Sequence, residues 1–320
     1  METIELQVEE PRDDLVAYLA AALPTLPLNV IRRLVARGRV EVDGQRVDHR
    51  WAPRPGQRIR VRLPDTPIVR YKPQPLDLEV LYEDSDLLAI SKPVGLSVLP
   101  DPGSVEARLI NGLLHYVQHH SPHPCARIHV VHRLDKETSG VLLVAKHVAA
   151  ARHLSARFEK RQVGKLYVAV VRGRVEPEEG EVDLPIAQHT RGRMRIRRRR
   201  GRPAHSRYRV GERFRRYTLL EVRPTTGRQH QVRLHLSGIG HPLAVDPLYG
   251  GQEAVYLSEL KRDYRPKPHR PEPPVIDRLT LHARRLEIER PDGTPLAVEA
   301  PLPKDLQRLL RTLRKYDSLP

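Results

Sequence analysis

Cysteine is almost missing from this sequence: Cys125 stands alone among 320 residues. That single thiol excludes an internal disulfide and a cysteine-based zinc site, and it suits a reducing compartment. Long hydrophobic runs are missing too. The apolar stretch at 15–28 is interrupted by Pro24 and Pro27, and the opening METIELQVEEPRDD is acidic where an export signal needs basic and then apolar residues. A cytoplasmic location without membrane association is therefore expected. The sequence contains no nucleotide-binding glycine loop and no internal repeat. Acidic residues are also outnumbered, 39 Asp+Glu against 56 Lys+Arg, which gives a formal charge of +17. Such an excess suits a polyanionic partner, with nucleic acid ahead of an acidic membrane surface.

The length allows one sizeable domain and a small one. Residues 1–64 read as a small α/β unit. Helical periodicity covers 14–22 and again 30–36, where Ile31, Leu34 and Val35 are apolar while Arg32, Arg33 and Arg37 lie outside. Gly38 stops the second helix, VEV and QRV flank Asp43-Gly44 as a tight hairpin, and RIRVRL alternates as a strand. Ten arginines between Ile31 and Arg62 face only Glu41, Asp43 and Asp48. The charge thus lines one helix and its hairpin, a surface suited to tracking phosphates, with Arg32, Arg33 and Arg37 as candidate contacts. Residues 65–75, DTPIVRYKPQP, carry three prolines and read as a semi-rigid linker. From 76 to 303 short strands alternate with few strong helices, the best at 148–160 and 228–236, which gives an α+β domain on a mixed, largely antiparallel sheet with flanking helices. Residues 251–274 read as an insertion loop and 304–320 as a tail with a short amphipathic helix.

The segment VHRLDKETSG, 131–140, precedes the apolar strand VLLVAK, so its polar residues occupy a loop held by a sheet, a common place for catalytic groups. On position alone, Asp135 beside Arg133 reads as a structural ion pair or a turn-forming aspartate. Residues 191–202, RGRMRIRRRRGR, hold eight arginines and no acid, either a disordered basic tract or a phosphate grip. His119, His120 and His123 have ligand-like spacing, yet their only nearby partner is Cys125, and no metal site is expected.

LVARGRVEVDGQRV resembles the core of the alpha-L RNA-binding module of a ribosomal protein and many RNA-modifying enzymes, with Pro27-Leu28-Asn29 where a serine usually precedes the second helix. HRLDKETSG resembles the HRLDxxTSG signature of the RluA/RluD-type RNA pseudouridine synthases. Further stretches resemble that family in the same order: LYEDSDLLAISKPVGLSV with Lys92, Pro93 and Gly95, LYVAVVRG after Lys165, and PTTGRQHQVRLHLSGIGHPLAVDPLYG. The likeness spans 76–302. It departs at Leu99, where a histidine often follows the first motif, and at Ser206 in AHSRY, where threonine is usual.

The resemblance implies isomerisation of uridine to pseudouridine in structured RNA. Large-subunit ribosomal RNA is the leading substrate; transfer RNA, or a non-catalytic ribosome assembly factor, are the alternatives. Asp135 matches the family's carboxylate, which starts the reaction by attack at sugar or base or by removing a sugar proton. The change involves no redox step and no group donor, so no cofactor is expected, and a monomer is expected. A carboxylate closed in by RNA needs a cation to stay ionised. On a helix beginning near Arg228, residues 228 and 233 lie about 140° apart, so only one readily faces the pocket. The resemblance selects Arg233, leaving Arg228 to phosphate or to the motif loop. Tyr167, by the same likeness, packs against the target base and shuttles a proton. Substrate contacts are expected from Arg133, which fills the gap of the flipped base or meets its phosphates, from Lys165, and from His132, which orients the loop. In this family the hairpin corresponding to 191–202 reaches over the RNA.

Overall fold

The computed structural model describes residues 3–9, 11, 14–23, 26, 28–63, 72–99, 109–125, 128–189, 193–250, 252–266 and 269–319. Most of the expected linker at 65–75, Pro24, Pro27 and Arg191 lie outside these residues.

Asp43 and Gly44 both take positive φ, 49° and 80°, the backbone that a two-residue hairpin with right-handed strand twist requires. They join β2 (Val40–Val42) to β3 (Gln45–Arg46). Before them come β1 (Thr3–Gln7), α1 (Leu15–Ala22) and α2 (Leu28–Ala36), and after them β4 (Arg58–Arg62). The four strands form an antiparallel sheet in the order β1-β4-β2-β3. Asp14 caps α1 by accepting the Ala17 amide at 2.6 Å. The apolar face of both helices meets the sheet through Leu15, Leu19, Ile31, Leu34, Ile59 and Val61. Arg32, Arg33 and Arg37 remain exposed on the other face. Strand β1 is not among the expected elements, because the five residues TIELQ give only a short alternation.

The larger part of the chain runs β5 (Glu79–Glu83), β6 (Leu87–Lys92), α3 (Leu109–His119), β7 (His129–Val130), β8 (Ser139–Ala145), α4 (Val148–Glu159) and β9 (Gly164–Arg172). It continues through β10 (Glu179–Asp183), β11 (Ile186–Gln188), β12 (Met194–Ile196), β13 (His205–Arg213), β14 (Tyr217–Pro224), α5 (Gln231–Gly238), α6 (Leu257–Leu260), β15 (Leu281–Glu289), β16 (Pro295–Glu299) and α7 (Lys304–Tyr316). Ten strands form one sheet along the path β10-β13-β14-β9-β15-β8-β6-β5, with β16 on β15 and β7 on β8. Every pairing in it is antiparallel except β8 with β15. The mixed, largely antiparallel sheet with flanking helices is thus as expected.

All seven residues of β8 are buried, which explains why SGVLLVA reads as a continuous apolar run and not as an alternation. Gly140 marks where β8 meets β15. Its φ is +119°, and a Cβ there would sit 2.1 Å from the Ala283 carbonyl oxygen, so only glycine fits. The tail expected to be an amphipathic helix is α7, whose Leu306, Leu309, Leu310 and Leu313 enter a core with Phe214, Tyr217 and Val245. Helix α3 is absent from the sequence reading, and residues 251–274 are more anchored than a loop: Val255 and Leu260 are buried in the same core as α7.

Candidate active site

Leu134 of the 131–140 loop enters the core beneath β6 and α3. That anchor turns its neighbours Arg133 and Asp135 outward. Three further bonds fix the loop. The Leu143 amide donates to His132 Nε2 at 2.9 Å, the Thr138 amide donates to the Asp135 carbonyl at 3.0 Å, and the fully buried Lys92 ammonium donates to the Lys136 carbonyl at 3.0 Å. Lys92 also donates to the carbonyls of Pro93 and Leu96 at 2.7 and 3.0 Å, so the first motif is bolted to the Asp135 loop. Burial lowers the Lys92 pKa to about 8.

His132 is stacked on Phe158 with ring centroids 4.8 Å apart. Burial, with Lys165 nearby, pushes its imidazole down to about 3, which agrees with Nε2 acting as an acceptor. It orients the loop as a neutral ring.

Strand β9 supplies Lys165 and Tyr167, two residues apart and therefore on one face of the sheet. Lys165 donates to the Thr226 carbonyl at 3.0 Å, and burial lowers it to about 8. Burial and, second, the Asp135 charge raise the Tyr167 hydroxyl, so it remains protonated. The turn from β14 into α5 supplies the rest. Gln231 folds back on this turn, accepting from the Thr226 hydroxyl at 2.7 Å and from the Arg228 amide at 3.0 Å. The helix consequently starts at Gln231 and not at Arg228. The expectation that only one of Arg228 and Arg233 could face the pocket fails for this reason. Arg228 lies in the preceding turn, its Nε donating to the Pro203 carbonyl at 3.1 Å, and both arginines line the same cavity.

This cavity, about 560 Å³, is lined by Asp135, Tyr167 and Arg233, and also by Arg133, His132, Lys165 and Arg228. Arg32 and Arg33 on α2, and Arg37 just after its last residue, do not line it. Within the cavity Arg233 Nη1 stands 3.9 Å from Asp135 Oδ2. Its other two nitrogens grip Asp246 in a fork at 2.8 and 2.7 Å. Asp246 is 1 % exposed, and its Oδ1 also accepts the amides of Leu248 and Tyr249. Burial opposes the charge on Arg233, but the Asp246 bonds and charge outweigh it and raise the pKa of the guanidinium.

Asp246, Tyr249 and His230 also belong to this site; all three fall within the last family-like stretch, 224–250, but are not among the expected site residues. The Tyr249 ring lies 5.0 Å from the Arg233 guanidinium, and His230 Nε2 is 3.9 Å from Asp135 Oδ1. Ser206, one of the two departures from the family pattern, is buried and bonds His235 and Gln231, so its hydroxyl holds α5. Leu99, the other, is exposed. Residues 194–196 of the arginine tract form β12, paired with β11, and this hairpin touches the site where the Met194 amide donates to the Tyr249 hydroxyl at 3.3 Å. Among the described residues no cluster of three or more His, Cys, Asp or Glu side chains is placed to hold a metal.

The RNA pseudouridylate synthase family model matches residues 86–238, a span that holds the Asp135 loop, Tyr167 and Arg233. An uncharacterised RNA pseudouridine synthase of Aquifex aeolicus is 37% identical over 264 residues, 81% of this chain and 84% of that protein. The ribosomal large subunit pseudouridine synthase D of Xanthomonas campestris is 38% identical over 301 residues, 93% of this chain and 88% of that protein. The solved structure of human RNA pseudouridylate synthase domain containing 4 superposes with a TM-score of 0.57 at 28% identity, covering 74% of this chain and 93% of that one. This chain belongs to the RNA pseudouridine synthase family, of the RluA/RluD type.

Proposed function

We propose that this chain converts uridine to pseudouridine in large-subunit ribosomal RNA in the cytoplasm, as a monomer, with Asp135 as the initiating carboxylate. The observation that carries this reading is the placement of Asp135 in a cavity with Arg233 and His230 on its two oxygens and Tyr167 lining the same space. In the reaction the bond from ribose C1′ to uracil N1 breaks, the ring turns, and C1′ bonds to C5. N1 gains a proton, C5 loses one to solvent, and no electrons change hands. Attack at sugar or base and removal of a sugar proton all use the carboxylate, and Arg233, held from behind by Asp246, sets a positive charge 3.9 Å from it.

The protonated Tyr167 gives the uracil an aromatic wall and a hydroxyl for proton transfer. Arg133 is exposed at the rim and fills the stack that the extruded base leaves, while Lys165 and Arg228 meet the substrate within the cavity. Residues 1–64 act as a separate RNA grip through Arg32, Arg33 and Arg37, tied by 65–75 to a catalytic unit at 76–303 and the tail at 304–320. Similarity to the Xanthomonas enzyme over nearly the whole of both chains supports the large subunit as target. No helix among the described residues is long and apolar enough to cross a membrane.

Tritium release from RNA labelled at uracil C5 tests the chemistry, and pseudouridine mapping with and without the gene tests the substrate. Asp135→Asn is expected to abolish release while RNA affinity stays within about tenfold, because binding rests on distributed phosphate contacts. Release by that variant at the wild-type rate would overturn the assignment. Lost sites confined to transfer RNA would move the substrate without touching the chemistry.

A further inference from the structure

Asp135 has a donor group at the same distance from each carboxylate oxygen. Arg233 Nη1 is 3.9 Å from Oδ2, and His230 Nε2 is 3.9 Å from Oδ1. Each donor is itself held from behind, Arg233 by the Asp246 fork and His230 by the Tyr249 hydroxyl, 2.8 Å from Nδ1. The hydrogen bonds around Tyr249 favour one tautomer. The Tyr249 oxygen already accepts the Met194 amide at 3.3 Å, so its own hydrogen is free for His230 Nδ1. Burial lowers the pKa of the His230 imidazole; Arg233 and Arg133 push the same way, while Asp135 and Asp246 oppose them. A neutral ring that accepts at Nδ1 carries its proton on Nε2, the nitrogen facing Asp135.

The backbone agrees with a fixed part. His230 sits at φ 55° in the left-handed region, in the cap position of α5, with its side chain 14 % exposed. That conformation is uncommon for a residue other than glycine and persists where surrounding structure enforces it.

We infer that His230 is a positioning residue for Asp135, a second clamp opposite Arg233, with its tautomer set by Tyr249 and, through the Met194 amide, by the arginine-bearing β11–β12 hairpin. The inference rests on Asp135 being the reacting carboxylate. In a substrate-free site such contacts are commonly long and tighten once substrate closes the cavity. The chain Met194, Tyr249, His230, Asp135 then connects a segment that carries Arg195 and Arg197 to the reacting group, so RNA held against the hairpin also sets the carboxylate.

Four variants are assayed for kcat and KM by tritium release on the same RNA, with thermal melts alongside. His230→Asn is chosen because asparagine tolerates a left-handed backbone, keeps a group near the Nδ1 position, and is too short to reach Asp135. Its kcat is expected to fall about tenfold or more, the order set by losing a hydrogen bond to a charged group, with KM within about threefold. His230→Gln returns a donor near the Nε2 position and is expected to recover most of kcat. Tyr249→Phe keeps the ring over Arg233 and loses only the hydroxyl, giving a smaller fall in kcat. The double variant His230→Asn/Tyr249→Phe is expected to be no worse than His230→Asn, because the hydroxyl acts through the imidazole.

A His230→Asn protein with wild-type kcat overturns the inference. So does a Gln variant as impaired as Asn, or additive losses in the double variant. A wild-type chain that releases no tritium would instead sink the functional reading, and this inference with it. If His230→Asn melts, Tyr249→Phe decides on its own: a kcat equal to wild type refutes the clamp.

Discussion

Replacing Asp246 with asparagine probes the support on which Asp135 depends. The carboxylate is 1 % exposed and takes four hydrogen bonds, two from Arg233 and two from the amides of Leu248 and Tyr249. Three of the four reach Oδ1, so an asparagine keeps its carbonyl oxygen there and turns its NH2 toward Arg233 Nε, a donor against a donor. Arg233 is then a buried guanidinium, 8 % exposed, that has lost its hydrogen-bonded counter-ion and keeps only Asp135 at 3.9 Å. Breaking a buried pair in this way costs about 3–5 kcal/mol. At roughly 2–4 °C per kcal/mol for a domain of this size, the melting temperature should fall by roughly 6–20 °C. The freed guanidinium swings toward Asp135, and kcat should fall at least about tenfold. Circular dichroism melts and tritium release in one buffer measure both effects. The double variant Arg233→Met/Asp246→Asn leaves no buried guanidinium without its partner, so it should regain part of the lost stability, and it should remain inactive because Asp135 has lost its cation. An Asp246→Asn protein melting within about 2 °C of wild type would refute the argument that Asp246 secures Arg233.

Changing Arg32, Arg33 and Arg37 together to alanine should weaken binding of structured RNA about equally across sequences and lower the salt slope of log K by up to about 2.7, from roughly 0.9 per phosphate contact; an unchanged slope in filter binding excludes α2 from the RNA surface. The fold should also be acid-sensitive through two histidines held neutral. His282 is fully buried and burial, with Arg278 and Arg284, pushes it to about 4, while His132 is pushed to about 3. Unfolded, both titrate near 6.5. Between pH 6.5 and about 4 the unfolded chain therefore binds more protons, so stability is full above that window and lost as pH falls through it. The slope is about 1.4 kcal/mol per pH unit for each proton, with His282 giving nearly one and the partly exposed His132 less. Urea midpoints from pH 7 to 4 read this, and His282→Gln should remove about one proton of uptake; a flat midpoint down to pH 5 contradicts it.

What the sequence showed of this fold depended on how local each signal is. The hairpin at Asp43-Gly44 and helix α4 follow from turn chemistry and 3.6-residue periodicity, which are properties of a few consecutive residues. The start of α5 could not be read that way. GRQHQVRLHL is periodic from Arg228, but Gln231 spends its side chain on Thr226 and the Arg228 amide, so the turn outlasts the pattern. Strand β8 read correctly as an apolar strand because its run VLLVA is unbroken, while its parallel partner β15 lies about 140 residues later and left no local trace. Asp135, Tyr167 and Arg233 were selected by likeness to a family and not by periodicity. Asp246 and Tyr249 were within reach of the same likeness, yet their use depends on a loop returning under α5, which no spacing encodes.

The chemistry also explains why this centre can be so heavily charged inside a basic protein. Asp135, Arg233 and Asp246 form an alternating row, negative, positive, negative, with only its outer carboxylate open to the cavity. If Asp246 were absent, the guanidinium would collapse onto Asp135 and occupy the oxygen that must react; with it, Arg233 is held at 3.9 Å, near enough to face the carboxylate with a positive charge and far enough to leave the oxygen free. The neutral His230 fits the same logic, since a second full positive charge beside Asp135 would bind the carboxylate more tightly without improving its aim. The surplus cationic charge is placed elsewhere, on α2 and around the β11–β12 hairpin, where phosphates and not the reacting base would meet it.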